Sequence, residues 1–367
     1  MTRRAPHLVI LVGAVIALAF GTAGPASAAP PVAARWSVTV APASLLTGPE
    51  LGGGRVYVGF GAPDGTGGVR ALDVTSGATL WTRTFPLPVT VPPVFVPSST
   101  RLYAGTSERL YGLDPATGRT IVAGPVTGFE DLYSLHYADG RVYVQTTHDI
   151  FAFTAAATPL WDYFLDDDPS VLSAPGDGFL YVNDEQDDGS GGFPQCMEKV
   201  DAAKGTLVAL NCAIQDFIPP TAVPSRSTVV GGGAAGVFGF RTSNLKQKWV
   251  NTRFASGAAT NATASFGGRV ATALGERMSI LQLSDGTKVC EKTYDERIFS
   301  SLIQPVFDPS SGGVYLFDTE AKDVYKASPT TCKEAWVYLG DDDVVGFAAS
   351  SSTVVGAGGT TVFALNP

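Results

Sequence analysis

The chain repeats itself with a period of about 42 residues, room for four short strands and their turns. The clearest copy runs from Gly54 to Phe85. It holds a strand (RVYVGF), a loop, a second strand (VRALDV), the turn TSG and a third strand (TLWTRTF). Further copies begin at Arg101, Arg141, Phe179, Thr228, Arg269 and Gly313, and a last piece, TVVGAGGTTVFALNP, begins at Thr353. These strands are lettered b, c and d. One more short strand, a, precedes each copy and is read in LLTGPEL, VTVPPVF, LYSLHYA, IPPTAVP and ATNATAS. Four strands per unit at this period predict propeller blades. The 42 glycines and 25 prolines, with almost no helical periodicity, agree with short strands joined by tight turns.

All five tryptophans, Trp36, Trp81, Trp161, Trp249 and Trp336, fall on strand d. The same position is Val122, Ala209 and Cys290 in the remaining copies. A large side chain recurring in one register is expected to pack one blade against the next. The last copy lacks strand d, whereas ARWSVTV (34–40) is a strand d without a blade. Pairing the two completes an eighth blade and removes the exposed sheet edges of an open array. The predicted fold is therefore all-β: a single eight-bladed propeller of four-stranded antiparallel blades, its ring closed by the N-terminal strand.

The pattern YV…LDxxTGxxLW is carried by Tyr57-Val58, Leu72-Asp73, Gly77 and Leu80-Trp81, and more loosely by Tyr111 to Gly118. It resembles the repeat of the PQQ-like (quinoprotein alcohol dehydrogenase-like) eight-bladed propellers, over essentially the whole chain beyond residue 28. That family holds quinone-dependent dehydrogenases and non-catalytic members, among them the lipoprotein scaffold of outer-membrane barrel assembly. For a dehydrogenase the resemblance implies adjacent cysteines ringed over the cofactor, a tryptophan stacked on the channel floor and a calcium-bound Glu/Asn/Asp set. This chain has no Cys-Cys pair, every tryptophan is on strand d, and no such calcium set is assignable. The function expected is a non-catalytic binding or scaffold module without PQQ. The alternatives are an extracellular PQQ-dependent dehydrogenase and a lyase or hydrolase using acids at the channel mouth.

Residues 1–28 read as a secretory signal peptide. MTRR is a basic start, LVILVGAVIALAF (8–20) an apolar core, and Ala26-Ser27-Ala28 a cleavage site, leaving residues 29–367 as the propeller domain. The apolar run is short for a membrane span. Arg3-Arg4 raises a twin-arginine route, but Pro6 and His7 follow where that signal needs apolar residues, so the general route is expected. No cysteine stands near the cleavage site, so no lipid anchor is expected. Without Arg3 and Arg4 the formal charge of −9 becomes −11. Such an acidic chain does not suit nucleic acid, whose phosphates need a basic surface. A secreted or cell-surface monomer with a protein partner or a cationic ligand, and no membrane span, is expected.

Export places the four cysteines where disulfides form. Cys196 and Cys212 are equidistant from the turn near Lys204 and so face each other across a c–d hairpin, while Cys290 and Cys332 are one repeat apart on adjacent blades. Three connectivities are open, and 196–212 with 290–332 is favoured. His136 and His148 lack ligand-spaced partners, so zinc is not expected. No nucleophile elbow, P-loop or dinucleotide fingerprint is present. Asp184-x-Gln186-x-Asp188-Gly189 resembles the start of a calcium loop, since alternate oxygens before a glycine turn suit a hard cation. Gln195 stands where a closing Glu belongs, and a solvated acidic loop is the competing reading.

In a propeller the b–c and d–a loops share one face, and the a–b and c–d turns share the other. Acidic runs fall on the first: Glu130-Asp131, Asp166-Asp167-Asp168, Asp184 to Asp188, Asp295-Glu296, Asp318 to Glu320 and Asp341-Asp342-Asp343. Basic residues gather on the second: Arg55, Arg101, Arg119, Arg141, Lys204, Arg226, Lys246, Lys248, Arg269 and Lys288. The candidate binding face is therefore the acidic one, with Asp166 to Asp168 and Asp341 to Asp343 as its core, recruiting a cationic partner by electrostatic steering. A merely solubilising surface is the alternative.

Overall fold

The computed structural model describes residues 29–126, 132–165, 172–185, 195–212, 221–223, 227–233, 236–254, 262–274, 276–294, 304–340 and 343–367. Their strands form eight separate sheets, each an antiparallel meander apart from one added parallel strand. Blade 1 spans residues 45–85, blade 2 94–125, blade 3 132–164, blade 4 179–211, blade 5 221–251, blade 6 262–293 and blade 7 306–338. Blade 8 takes strands a to c from residues 344–365 and strand d from Trp36–Thr39, which pairs with Thr361–Leu365 from Trp36↔Ala364 to Thr39↔Thr361. The orphan strand thus closes the ring. In blade 4 the strand a position is held, among the described residues, by the single bridge Ser173↔Tyr181.

The recurring motif works across blade seams. At the head of the c–d turns of blades 1, 2 and 4 an aspartate caps free backbone donors: Asp73 Oδ1 accepts from the N–H groups of Thr75 (3.0 Å) and Ser76 (2.8 Å), Asp114 from those of Ala116 and Thr117, and Asp201 from those of Ala203 and Lys204. Four residues on, Gly77, Gly118 and Gly205 take positive φ of 65–71°, as does Gly286 four residues after Gln282 in blade 6. The tryptophan of the preceding blade lies over each of them. A Cβ at Gly77, Gly118 or Gly205 would come within 2.7, 2.5 or 2.6 Å of the ring of Trp36, Trp81 or Trp161. The indole N–H of Trp36, Trp81 and Trp249 donates to the carbonyls of Val74, Pro115 and Leu283 at 2.9–3.0 Å. Tyr57 on strand b donates to the same Pro115 oxygen at 3.3 Å. Each LDxxTG turn is thus the receptor for its neighbour's tryptophan. Gly118→Ala is expected to cost about 3 kcal/mol, from the clash and from alanine at positive φ. Urea unfolding measures it, and unchanged stability would remove Trp81 from this seat.

Seams without tryptophan solve the same packing problem differently. Ala209 stands in the tryptophan register opposite Lys199, and the facing turn carries Leu245, fully buried at φ 54°, instead of glycine. The small and large residues have exchanged sides. At the next such seam Cys290 holds the tryptophan position, opposite Ile280, and Cys332 holds the glycine position at φ 53°. They are joined as a disulfide with Cα atoms 5.7 Å apart, and Cys196–Cys212 is the second bridge. Both predicted pairings are present. Cys290 lies on strand d and Cys332 beside one, in the turn that precedes it.

One element was not foreseen. Pro31–Val32 adds a fifth, parallel strand outside blade 7, pairing with Val337 and Tyr338, and Ala29 is buried in the blade 6–7 core. The N-terminal segment therefore ties blade 7 as well as blade 8.

Candidate functional site

Of the proposed calcium ligands, Asp184 lies within strand b of blade 4 (Phe179–Glu185), paired with Cys196 and only 2% exposed. It is a buried strand residue rather than a loop residue. Gln186 and Asp188 lie outside the described residues, as do Asp166 to Asp168, Asp341 and Asp342. Asp343 is described: its side chain is 73% exposed, and its Oδ1 lies 3.7 Å from Lys322 Nζ on the b–c turn of blade 7. Beside it, between blades 7 and 8, runs a cleft of about 160 Å³ lined by Lys322, Tyr338, Gly340, Val344 and Phe363. The Tyr338 and Phe363 rings are stacked with centroids 4.9 Å apart.

The described part of this face is mixed in charge. Arg109 and Arg277 open strand c on it, and Arg253 follows strand d of blade 5. Asp318 is not surface charge: it is fully buried, and its Oδ1 caps its own turn by accepting from Glu320 and Ala321. That corrects the acidic run placed at Asp318 to Glu320. Asp323, 9% exposed, accepts from Tyr325 Oη and from Gly340 N–H.

The opposite face has lost much of its charge to the fold. Arg101 donates to the Ala155 carbonyl of the next blade's c–d turn, and Arg269 to that of Pro329. Lys199 does the same to Thr242 at 2.7 Å. Arg55 and Arg141 bond within their own a–b turns, to Gly53 and Asp139. Arg226 lies outside the described residues. Sequence reasoning took the arginines as a surface pattern and did not single out Lys199. Their recurrence at the start of strand b, beside the tyrosine that shares their acceptor in blade 2 (Tyr103 Oη to Ala155, 2.7 Å), was the signal for a seam role.

Two half-buried ionisable groups stand on the inner strands. His136 on strand a of blade 3 has no hydrogen-bond partner for Nε2 among the described residues, and burial pushes its imidazole down to about 4. It is neutral at physiological pH. Glu50, on the inner strand of blade 1, accepts from Phe95 N–H of blade 2 at 3.1 Å, and burial pushes its carboxyl up to about 7. Its folded-state value lies above the unfolded one. Its contribution is therefore whole below pH 4.5 and is lost as pH rises towards 7, on the order of 3 kcal/mol. Glu50→Gln should flatten stability between those pH values, and an unchanged pH profile would refute the assignment.

A family model described as outer membrane protein assembly factor BamB matches residues 28–136 and 65–177. Together the matches span residues 28–177, and over them the repeat is PQQ-like. No curated protein matches it. Among solved structures, this propeller is similar to the computationally designed Ika8 protein, at 14% identity and TM-score 0.73, over 91% of this chain and 99% of that one. BamB from Moraxella catarrhalis aligns at 13% identity and TM-score 0.66, covering 90% and 96%. The C-terminal WD40 domain of Sif2 aligns at 7% and 0.72, covering 92% and 99%. These likenesses carry fold alone.

Two features that the PQQ-like resemblance implies for a quinone site are otherwise engaged here. The cysteines that would ring it are joined 16 and 42 residues apart, and the tryptophans that would stack on it are seated on outer strands.

Proposed function

We propose that the chain is an exported, non-catalytic propeller that acts outside the cell as a binding or scaffold module through its b–c and d–a loops. The carrying observation is a contrast between the faces. On the a–b and c–d face the recurrent polar side chains, Asp73, Asp114, Arg101, Arg269 and Lys199, are engaged in turns and seams. On the loop face the acids vary from blade to blade in number and spacing, as expected of residues selected for a partner rather than for the ring. Two disulfides support an oxidising compartment. The matched family's description as an assembly factor supports a scaffold role. The partner is a basic protein surface or a cationic ligand, steered by a chain whose net charge of −9 becomes −11 without Arg3 and Arg4.

Cross-linked affinity capture from the producing cells tests this, comparing the native chain with one in which Asp166 to Asp168 and Asp341 to Asp343 are changed to Asn. Capture should fall with added salt and disappear in the variant. Capture insensitive to both would sink the reading. The same capture with and without calcium tests Asp184, Gln186 and Asp188. Dye reduction by the chain incubated with PQQ and alcohols would replace the module with a dehydrogenase.

A further inference from the structure

The a–b and c–d face carries a groove that the loop-face reading leaves unused. One section, about 450 Å³, lies between blades 6 and 7 and is walled by Phe266, Phe307, Pro309 and Pro329, with Arg269 and Thr330 at its rim. A second section, about 400 Å³, lies between blades 5 and 6 and is lined by Lys248, Gln282 and Ser284. Gly267, in the a–b turn of blade 6, belongs to both, so the sections meet around that turn. The Phe266 and Phe307 rings are stacked, with centroids 5.9 Å apart and planes at 29°. Phe266 is 40% exposed, an unusual outlay of aromatic surface on a turn.

We propose that this groove binds an extended, proline-containing peptide segment that carries an acidic residue. Flat aromatic surface beside prolines is what a polyproline-type ridge packs against, because such a segment is extended before it binds and loses little entropy. The ionic groups lining the groove are both cations, Lys248 and Arg269. Lys248 also donates to Thr228 Oγ1 at 3.1 Å, and Arg269 to the Pro329 carbonyl, which leaves each with further N–H donors for a carboxylate. The nearest buried acid, Asp308, is only 1% exposed at its side chain and is neutralised by Lys326 at 3.0 Å and by the hydroxyls of Ser310 and Ser311. It does not repel an incoming acid. A glycan, the other ligand that uses exposed rings, would need convergent polar groups around Phe266 and Phe307. Here the Ser310 and Ser311 hydroxyls are already committed to Asp308.

The test titrates the full chain with a proline-rich peptide containing one glutamate, the same peptide with glutamine, and a neutral oligosaccharide. The glutamate peptide should bind, at least about tenfold tighter than its glutamine form, since one charge-assisted hydrogen bond is worth 1.5–3 kcal/mol. Phe266→Ser should abolish binding. Gly267→Asn should abolish it too: a Cβ there meets nothing within 4 Å and asparagine tolerates φ +58°, so the fold is kept while the groove is filled. Lys248→Gln should remove the preference for glutamate. Binding of the oligosaccharide alone, no binding of either peptide, or peptide binding that survives both Phe266→Ser and Gly267→Asn would overturn the proposal. None of these variants touches the loop face, so failure here leaves the partner-capture experiment unaffected.

Discussion

Deleting residues 34–40 is expected to destroy cooperative folding rather than trim a tail. Trp36 and Val40 are 9% and 0% exposed, and with Val38 they pack in the core shared by blades 8 and 1. Arg35 crosses the same seam, donating to the Val74 carbonyl at 2.6 Å and to Thr353 Oγ1 at 3.0 Å. Removing the strand exposes the edge at Thr361–Leu365 and empties the Gly77 receptor at once. Trp36→Ala alone should cost about 3–5 kcal/mol, the usual range for truncating a buried tryptophan. The deletion must exceed it, because backbone pairing is lost as well. Circular dichroism with urea titration reads both. A deletion variant that unfolds at the native midpoint would mean that blade 8 is complete without this strand.

The second large effect concerns the seam between blades 6 and 7. Replacing Cys290 and Cys332 together by alanine should lower stability by roughly 4 kcal/mol, the loop-closure value for a bridge spanning 42 residues. Loss of that covalent link and loss of side-chain packing are separable here. Because the two cysteines occupy the tryptophan and glycine positions of the other seams, the pair Cys290→Trp with Cys332→Gly should recover part of the loss, with no bridge at all. Gly at φ 53° is favourable and the indole has a turn to dock on. Guanidinium unfolding of the three proteins orders them as native, Trp/Gly pair, alanine pair. Recovery no better than the alanine pair would show that this seam is built differently from those of Trp36, Trp81, Trp161 and Trp249.

The sequence made the ring legible because its signals are redundant. Eight copies, tryptophans in one register, and an unpaired strand matching the one missing strand all agree, and the cysteine spacings fit the same frame. Features that depend on two blades at once were harder to see. Leu245 looks ordinary until Ala209 is known to face it, and Cys332 until its turn is laid beside Gly77 and Gly118. Pro31–Val32 has neither length nor alternation to mark it as a strand, and it pairs only because blade 7 offers an edge. The strand b arginines carried charge on paper but spend it on backbone carbonyls, Arg101 and Arg269 on the next blade and Arg55 and Arg141 on their own turns. Asp318, read as surface acid, is buried as a turn cap. The candidate face was legible only as composition, since what binds there is set by loops that do not repeat and so share no pattern to reason from.

Hydrogen exchange at Trp36–Thr39 tests the central claim, that the N-terminal strand is the outer strand of blade 8 and locks the ring. Those amides should exchange in the same slow, cooperative class as Thr361–Leu365, with which they pair, and should lose protection together with them in denaturant. Rapid exchange at residues 36–39 while residues 361–365 stay protected would contradict it.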